Sequence, residues 1–284
     1  GDVCHVLPVV RTLQDTWPST QLTWILGKLE HKLLGHLSGI EFIVFDKNAG
    51  GQGYRDLRSQ LRGRRFDALL HMQLALRASI ASIMVPARHR LGFDRARARE
   101  GQWLFTNAKI EARSREHVLD SLFGFAERLG VTTRSMRWDI PLPDSALAYA
   151  HEAIPDPAMP TLVLSPCSSH ALRNWSAARY AALADHAVQH HGMEVLLCGG
   201  RSALELEYGT RIEQEMQQPC RNLIGRDTLL EFLATLQRAT ALVSPDSGPA
   251  HMATTVGTPV IGLYAATNPE RSGPTGLGSC LQRV

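Results

Sequence analysis

What this sequence lacks narrows its role before any motif is read. No apolar run approaches the ~18 residues needed to cross a bilayer, and its first residues have none of the charged, apolar, small-residue layout of a secretory signal. Five cysteines, at 4, 167, 198, 220 and 280, form no C-x-x-C pair and no short disulfide framework. They read as reduced, buried thiols of a cytoplasmic protein. There is no G-x-x-x-x-G-K-[ST] loop and no G-x-G-x-x-G between a strand and a helix, which argues against a P-loop NTPase or a dehydrogenase. No D-x-D step, H-E-x-x-H pair or other ligand spacing among the twelve histidines provides for a metal ion. No internal repeat and no low-complexity tract is present.

Charge is present but unevenly placed. Residues 1–140 carry 21 Lys/Arg against 14 Asp/Glu, and residues 141–284 carry 9 against 13, so a net charge of only +3 hides a basic first half. Much of the excess lies in YRDLRSQLRGRRF (54–66) and ARHRLGFDRARAR (87–99). Such blocks attract phosphates, nucleic acid or an anionic membrane surface, or simply form a solvated face. Nucleic acid is disfavoured, because no aromatic stacking platform, zinc finger or RNA-recognition signature accompanies the arginines.

A length of 284 residues suits about two domains. Short apolar runs alternate with segments of helical period, the pattern of repeated βαβ units around parallel sheets. Strands are expected at 22–26, 41–45 and 66–72, with helices near 7–16, 53–63, 74–84 and 115–130. The proline-rich 141–160, with room for one short helix, reads as an interdomain linker. The pattern restarts with strands at 161–165, 194–198, 221–225, 241–244 and 259–264, and helices at 175–190, 202–216, 227–238 and 247–256. The expectation is a Rossmann-like domain over 1–140, a linker, and a second over 161–284.

In an open α/β sheet, ligands bind beyond the carboxyl ends of the strands, where helix N-termini offer free N–H groups. The segments at those points in the second half are SPCSSHALRNW, CGGRSALE, SPDSGPAHM and YAATNPERSGP, all small, hydroxylated or glycine-rich. They suit a diphosphate better than an apolar ligand, so a nucleotide is the inference. Each helix end contributes only ~0.3 to 1 kcal/mol toward an anion, so a fixed cation is also expected, and Arg173 is the candidate because a guanidinium can grip two phosphate oxygens. In SPDSGPAHM, Asp246 and Ser247 end a strand, Ser247 and Gly248 can cap the next helix, and His251 falls a turn inside it. Capping alone could also explain Asp246 and Ser247.

These residues resemble a known family. The stretch SPDSGPAHMATTVGTPVIGLYAATNPERSGP (244–274) is similar to the ADP-heptose:lipopolysaccharide heptosyltransferases, glycosyltransferases of family 9 with the two-domain GT-B fold. GDVCHVLP (1–8), RLGFDRARAREGQWLFTN (90–107) and SPCSSHALRNWSAARYAALA (165–184) are similar to three further family segments, so the resemblance spans nearly the whole chain. It implies an α/β fold of two Rossmann-like parallel-sheet domains facing each other across a cleft, the first taking the acceptor and the second the nucleotide-sugar donor. By position it implies that Asp2 is the general base, and that Arg173, with Ser168 and Ser169 in the same loop, meets the donor phosphates. Asp246, Ser247, Gly248 and His251 match the signature that holds the donor's sugar and diphosphate, and Glu205 matches an acidic residue at the ribose. Asp227 and Thr228 are polar where some relatives set an apolar residue against adenine. The strand that usually precedes Gly1 and the helices that usually follow residue 284 are expected in the family and absent here, so the chain reads as partial.

The expected reaction is an inverting transfer of heptose from ADP-L-glycero-D-manno-heptose to Kdo or heptose of the phosphorylated lipopolysaccharide inner core. It needs neither metal nor cofactor, with the enzyme peripheral on the cytoplasmic face of the inner membrane, where Lys and Arg favour an anionic surface. Two rivals stay open: a nucleotide-sugar 2-epimerase of GT-B architecture, which shares an Asp-Ser-Gly step, and a non-catalytic nucleotide-sugar binding relative.

Overall fold

Among the described residues every strand pair is parallel, which obliges a crossover between consecutive paired strands. The computed structural model describes residues 1–265, 267–274 and 280–283. Ala266, within the YAATNPERSGP segment, lies outside the described residues. The chain divides into two units, His5–Trp138, and Gly1–Cys4 together with Asp139–Val284.

The run from the start to Trp138 contains α1 (Asp2–Thr16), β1 (Leu22–Leu26), α2 (Lys28–Leu34), β2 (Ile40–Val44), α3 (Gly51–Gln60), β3 (Phe66–Leu70), α4 (Leu76–Ile83), β4 (Ala87–Gly92), a 3-10 turn (Gln102–Phe105), β5 (Ala108–Lys109) and α5 (Val118–Arg128). Its strands form a pair, β1-β2, and a triplet, β3-β4-β5. One core gathers Val9, Leu13, Leu91, Phe93, Leu122 and Phe125. A second joins Ile43, Leu57, Leu61, Ala81 and Val85.

The other unit contains α6 (Asp144–Ala153), β6 (Thr161–Leu164), α7 (Ala177–His191), β7 (Glu194–Leu197), α8 (Ala203–Glu215), β8 (Arg221–Asn222), α9 (Leu229–Arg238), β9 (Ala241–Pro245), α10 (Gly248–Thr255), β10 (Val260–Tyr264), α11 (Pro269–Ser272) and β11 (Cys280–Arg283). Its six strands run β11-β10-β9-β6-β7-β8. Counted from β6, that is the order 3-2-1-4-5-6 of the doubly wound fold, in which the chain reverses direction between its first and fourth strands. Here those strands are β6 and β9, registered Leu162 to Ala241 through Leu164 to Val243. All of β6 is buried, as a strand covered on both faces by helices must be.

Several elements lie outside the sequence reading, among them α2, β4, β5 and β11, while the short helix it allowed within 141–160 forms as α6. Residues 87–92, read as part of a basic block, form β4. A strand tolerates Arg90 there because its guanidinium is satisfied internally: Nη2 and Nη1 donate to the carbonyls of Ser82 (2.6 Å) and Val85 (2.8 Å), and Nε to that of Phe105 (3.0 Å). Within 141–160, α6 packs Ala146 and Ala150 against Ala234 of α9. Three alanines let the two helices approach closely, and Ala150 is fully buried there. Ala150→Leu should therefore cost about 1–3 kcal/mol by overpacking, measured by denaturant unfolding, whereas Leu147→Ala on the exposed side of α6 should fall within about 0.5 kcal/mol of the parent.

Candidate functional site

The reversal between β6 and β9 opens a crevice at their carboxyl ends, and the sequence fills it with the residues singled out above. β6 ends at Leu164 and runs into Ser165–Asn174, while β9 ends at Pro245 and runs through Asp246 and Ser247 into α10. Arg173 Nη1 stands 3.5 Å from Asp246 Oδ2 and 3.4 Å from the Asp246 carbonyl. Asp246 is 9% exposed, and its other carboxylate oxygen lies 4.0 Å from His251 Nε2. The acid thus aims both side chains. These contacts are long and use one of the five N–H donors of the guanidinium, so the rest remain for a bidentate partner.

Gly1 belongs to the same assembly. A Cβ on Gly1 would come within 2.9 Å of His251 Cδ2, and one on Gly248 would lie 3.7 Å from the Gly1 nitrogen. Only a glycine lets the start of α1 lie this close to the first turns of α10. Asp2, the next residue, is exposed in the first turn of α1, where a carboxylate complements the positive end of the helix.

Helix starts in this unit fall into two kinds. α8 and α9 are closed by capping boxes, Ser202 with Glu205 and Thr228 with Glu231. α7 and α10 have serines, Ser176 and Ser247, at the cap position but no side-chain cap bond. Ser247 Oγ turns instead to Ser244 Oγ at 2.8 Å. Helix capping alone therefore does not account for Asp246 and Ser247. Of the helices that follow a strand of this sheet, the two with open starts come after β6 and β9, the strands flanking the reversal; α6, which precedes the sheet, also begins without a side-chain cap.

Other expected residues have more local partners. Ser168 Oγ donates to the His170 carbonyl and accepts from the His170 N–H, and the Ser168 N–H donates to Asn174 Oδ1 at 2.7 Å. Ser168 and Asn174 therefore shape the loop, while Ser169 is exposed. Glu205 accepts from the Gly200 N–H (2.7 Å) and from the Ser202 hydroxyl (2.6 Å) and N–H (3.4 Å). Three of its roughly four lone-pair sites are occupied, leaving room for one further donor. With burial the larger cause, Glu205 helps push the Cys167 thiol up to about 12. Cys4, Cys167 and Cys198 are buried and unbridged.

Several polar groups escaped the sequence reading. Asn174 Nδ2 and Trp175 Nε1, in the loop after β6, are buried with no protein partner, as is the Tyr149 hydroxyl. A buried donor left unmet costs about 1–3 kcal/mol, so a ligand or water must meet them. For Asn174 and Trp175 the only signal in the sequence was their place next to Arg173; for Tyr149 there was none. Asp227, just before α9, is raised to about 7, first by burial and then, against its own backbone N–H, by Glu231. Its charge, after burial, also pushes the Tyr149 hydroxyl up to about 12. Among the described residues, no three His, Cys, Asp or Glu side chains are grouped to hold a metal, and no helix is long and apolar enough to cross a membrane.

A doubly wound sheet with an arginine, a buried aspartate, a histidine and two open helix starts at its reversal defines a protein that binds a phosphorylated nucleotide ligand. Residues 54–278 match glycosyltransferase family 9 (heptosyltransferase). The lipopolysaccharide core heptosyltransferase OpsX of Haemophilus influenzae is 42% identical over 96% of this chain and 78% of its own. Among solved structures, a family 9 glycosyl transferase from Veillonella parvula superposes with a TM-score of 0.86 at 21% identity, over 99% of this chain and 83% of that one. Heptosyltransferase WaaC of E. coli, solved with ADP, superposes at 0.78 and 19% identity, over 99% and 89%. The chain belongs to glycosyltransferase family 9, the heptosyltransferases, and has their α/β GT-B fold.

Asp227 gives a pH test of the site's electrostatics. A carboxyl whose folded value is raised stabilises the fold below its ordinary value near 4, and that contribution is lost as pH rises toward about 7. Asp227→Asn cannot ionise, so it should melt above the parent at pH 8, by about 2–4 °C for each kcal/mol recovered. The gap should close as pH falls toward 4, and a pH-independent gap would show that Asp227 ionises normally.

Proposed function

We propose that this chain transfers heptose from an ADP-linked donor to the inner core of lipopolysaccharide by a single inverting displacement. The observation that carries the reading is the contact of Gly1 with His251, which brings Asp2 next to the D-S-G-x-x-H segment. A base and a leaving-group site are what such a displacement must bring together. The acceptor hydroxyl loses its proton to Asp2 as its oxygen attacks the anomeric carbon, and ADP leaves from the opposite face. Charge grows on the leaving diphosphate, where Arg173 and the open N–H groups of α10 meet it. Asp246 orients Arg173 and His251, Ser247 and Gly248 line the same start, Ser169 faces the donor loop, and Glu205 takes a ribose hydroxyl. Arginine and helix N-termini supply the positive charge that a metal would otherwise bring, so the reaction proceeds without metal or cofactor.

ADP is favoured as the leaving group because an E. coli relative was solved with it. The acceptor class follows the name of the Haemophilus influenzae relative. The epimerase reading loses its support, since the matching family is one of heptosyltransferases. The basic first half meets the phosphorylated core and the anionic inner-membrane surface from the cytoplasmic side; nucleic acid is not a partner.

Asp2→Asn should lower turnover by about 10²- to 10⁴-fold while ADP binding, read by calorimetry, stays within a few-fold of the parent. Arg173→Ala should instead weaken ADP about 10- to 100-fold, the scale of a charged hydrogen bond of 1.5–3 kcal/mol. Turnover that survives EDTA and gives a product of inverted anomeric configuration by NMR completes the picture. Preference for UDP-GlcNAc over ADP-heptose would overturn it.

A further inference from the structure

Helix α4 is built inside out. Its buried residues are Ser79, Ala81 and Ser82, whereas Leu76 and Ile83, seven positions apart and so on one helical face, are 45% and 56% exposed. Half-buried Ile80 lies between them on that face. The buried hydroxyls are fully engaged. Ser79 Oγ meets His71 Nε2 at 3.0 Å, with His71 pulled down to about 4 first by burial and then by Arg90, and Ser82 Oγ donates to the Ser79 carbonyl at 2.6 Å. The inward face is thus fixed by polar bonds, and the helix cannot rotate to hide its leucine and isoleucines.

The 3-10 turn beside it repeats the inversion. It buries Gln102, whose side-chain amide donates to the carbonyls of His71 and Gln73 at 2.8 Å each, and exposes Trp103 (45%) and Leu104 (67%). Both elements are pinned together. The Leu76 N–H donates to Glu100 Oε2 at 2.5 Å at one end, and Arg90 ties Ser82 to Phe105 at the other. Of the seven large apolar side chains exposed in the His5–Trp138 unit, four lie on these two elements. This is a rigid apolar platform, not a loose loop.

Its charge identifies what covers it. Residues 75–109 carry seven Lys/Arg against two Asp/Glu. Both acids are committed, Asp94 to Arg97 and Glu100 to the Leu76 amide. Arg77, Arg88, Arg95 and Arg99 are exposed, and Arg95 lies over the Trp103 ring at 4.9 Å. The other basic stretch, on and after α3, exposes Arg55, Arg58, Arg62 and Arg65 but no large apolar side chain. Tryptophan, leucine and isoleucine ringed by arginine suit the headgroup and upper acyl layer of an anionic bilayer, where indole and guanidinium both rest. A protein partner would leave the uncommitted arginines needing acids.

We propose that the platform of α4 and the 3-10 turn is the surface by which this chain docks on an anionic membrane, with Leu76, Ile83, Trp103 and Leu104 inserted and Arg77, Arg95 and Arg99 on the headgroups. This rests on the peripheral-membrane reading above and assigns it a surface. The test is co-sedimentation with vesicles of phosphatidylethanolamine and phosphatidylglycerol, against phosphatidylcholine vesicles. The parent should bind the anionic vesicles, more weakly as salt rises. Ile83→Ser/Leu104→Ser should reduce binding at least ten-fold, and Arg95→Gln/Arg99→Gln about five-fold per arginine, with circular dichroism confirming the fold of each. Acyl-chain-brominated lipid should quench parent fluorescence more than that of Trp103→Phe. If Arg55→Gln/Arg58→Gln/Arg62→Gln abolishes binding while Ile83→Ser/Leu104→Ser binds like the parent, the docking surface is α3 and the proposal fails. If the parent binds neither vesicle, the peripheral reading fails with it. Neither result depends on heptosyl transfer.

Discussion

The chemistry of the Gly1–Cys4 and Asp139–Val284 unit rests on β6 and β9 being neighbours. Adjacent in the sheet but 77 positions apart in the chain, from Leu164 at the end of β6 to Ala241 at the start of β9, they send their following loops to opposite faces of the sheet. That divergence is how an arginine from one loop and an aspartate from the other come to meet at the carboxyl ends of the strands. Apolar burial secures the arrangement: Leu164, Leu197, Val243 and Leu263 share one core with Tyr180 of α7. A strand shifted by one residue would carry this set to the opposite face of the sheet, against the wrong helices, so the register that makes the core also fixes the distance between Arg173 and Asp246.

Capping separates helix starts that serve the fold from those that serve a ligand. In α8 and α9 the first-turn N–H groups of Glu205 and Glu231 donate to the Ser202 and Thr228 hydroxyls, and starts closed in this way offer fewer donors to an anion. α10 begins with Ser247, Gly248 and Pro249, none of which bonds back to the helix. Proline at a helix start removes a donor that would be unmet anyway and fixes the backbone for the turn, while glycine keeps the approach to Gly1 open. The cost of leaving these donors without a side-chain cap falls on the empty state, so an anion bound there would also stabilise the protein.

Much of this was legible in the sequence. β1, β6, β7, β9 and β10 are short β-branched or leucine-rich runs followed by small polar residues, and such runs announce buried parallel strands. Ser168, Arg173, Asp246 and His251 stand at the strand ends where that reading places a site. What could not be read depends on contacts made at a distance. Arg90 looks like one more surface arginine until its three carbonyl partners are seen, and it hides β4. Ser168 and Ser169 are identical in sequence, yet one is consumed by His170 and Asn174 and the other is exposed. Glu205 carries a capping pattern, S-x-x-E, and that pattern is the signal that its carboxylate already has local work.

The same distinction recasts the basic first half. Arg64 pairs with Glu41, Arg97 with Asp94 and Glu116, Arg134 with Asp120 and Glu127, and Arg137 with Asp15. Arg97 also donates to the Glu111 carbonyl, so its planar fork joins three separate segments, a task for which a lysine point charge is unsuited. These arginines are part of the architecture, and the excess positive charge that composition counts is carried by others. It is concentrated on two exposed stretches, one purely basic after α3 and one mixed with tryptophan, leucine and isoleucine beside α4. A purely basic stretch attracts any polyanion through long-range field alone, and salt screens it. A basic stretch with apolar side chains among the arginines also gains from short-range burial, which salt does not weaken. The two stretches therefore differ in what they can hold, although sequence composition scores them alike.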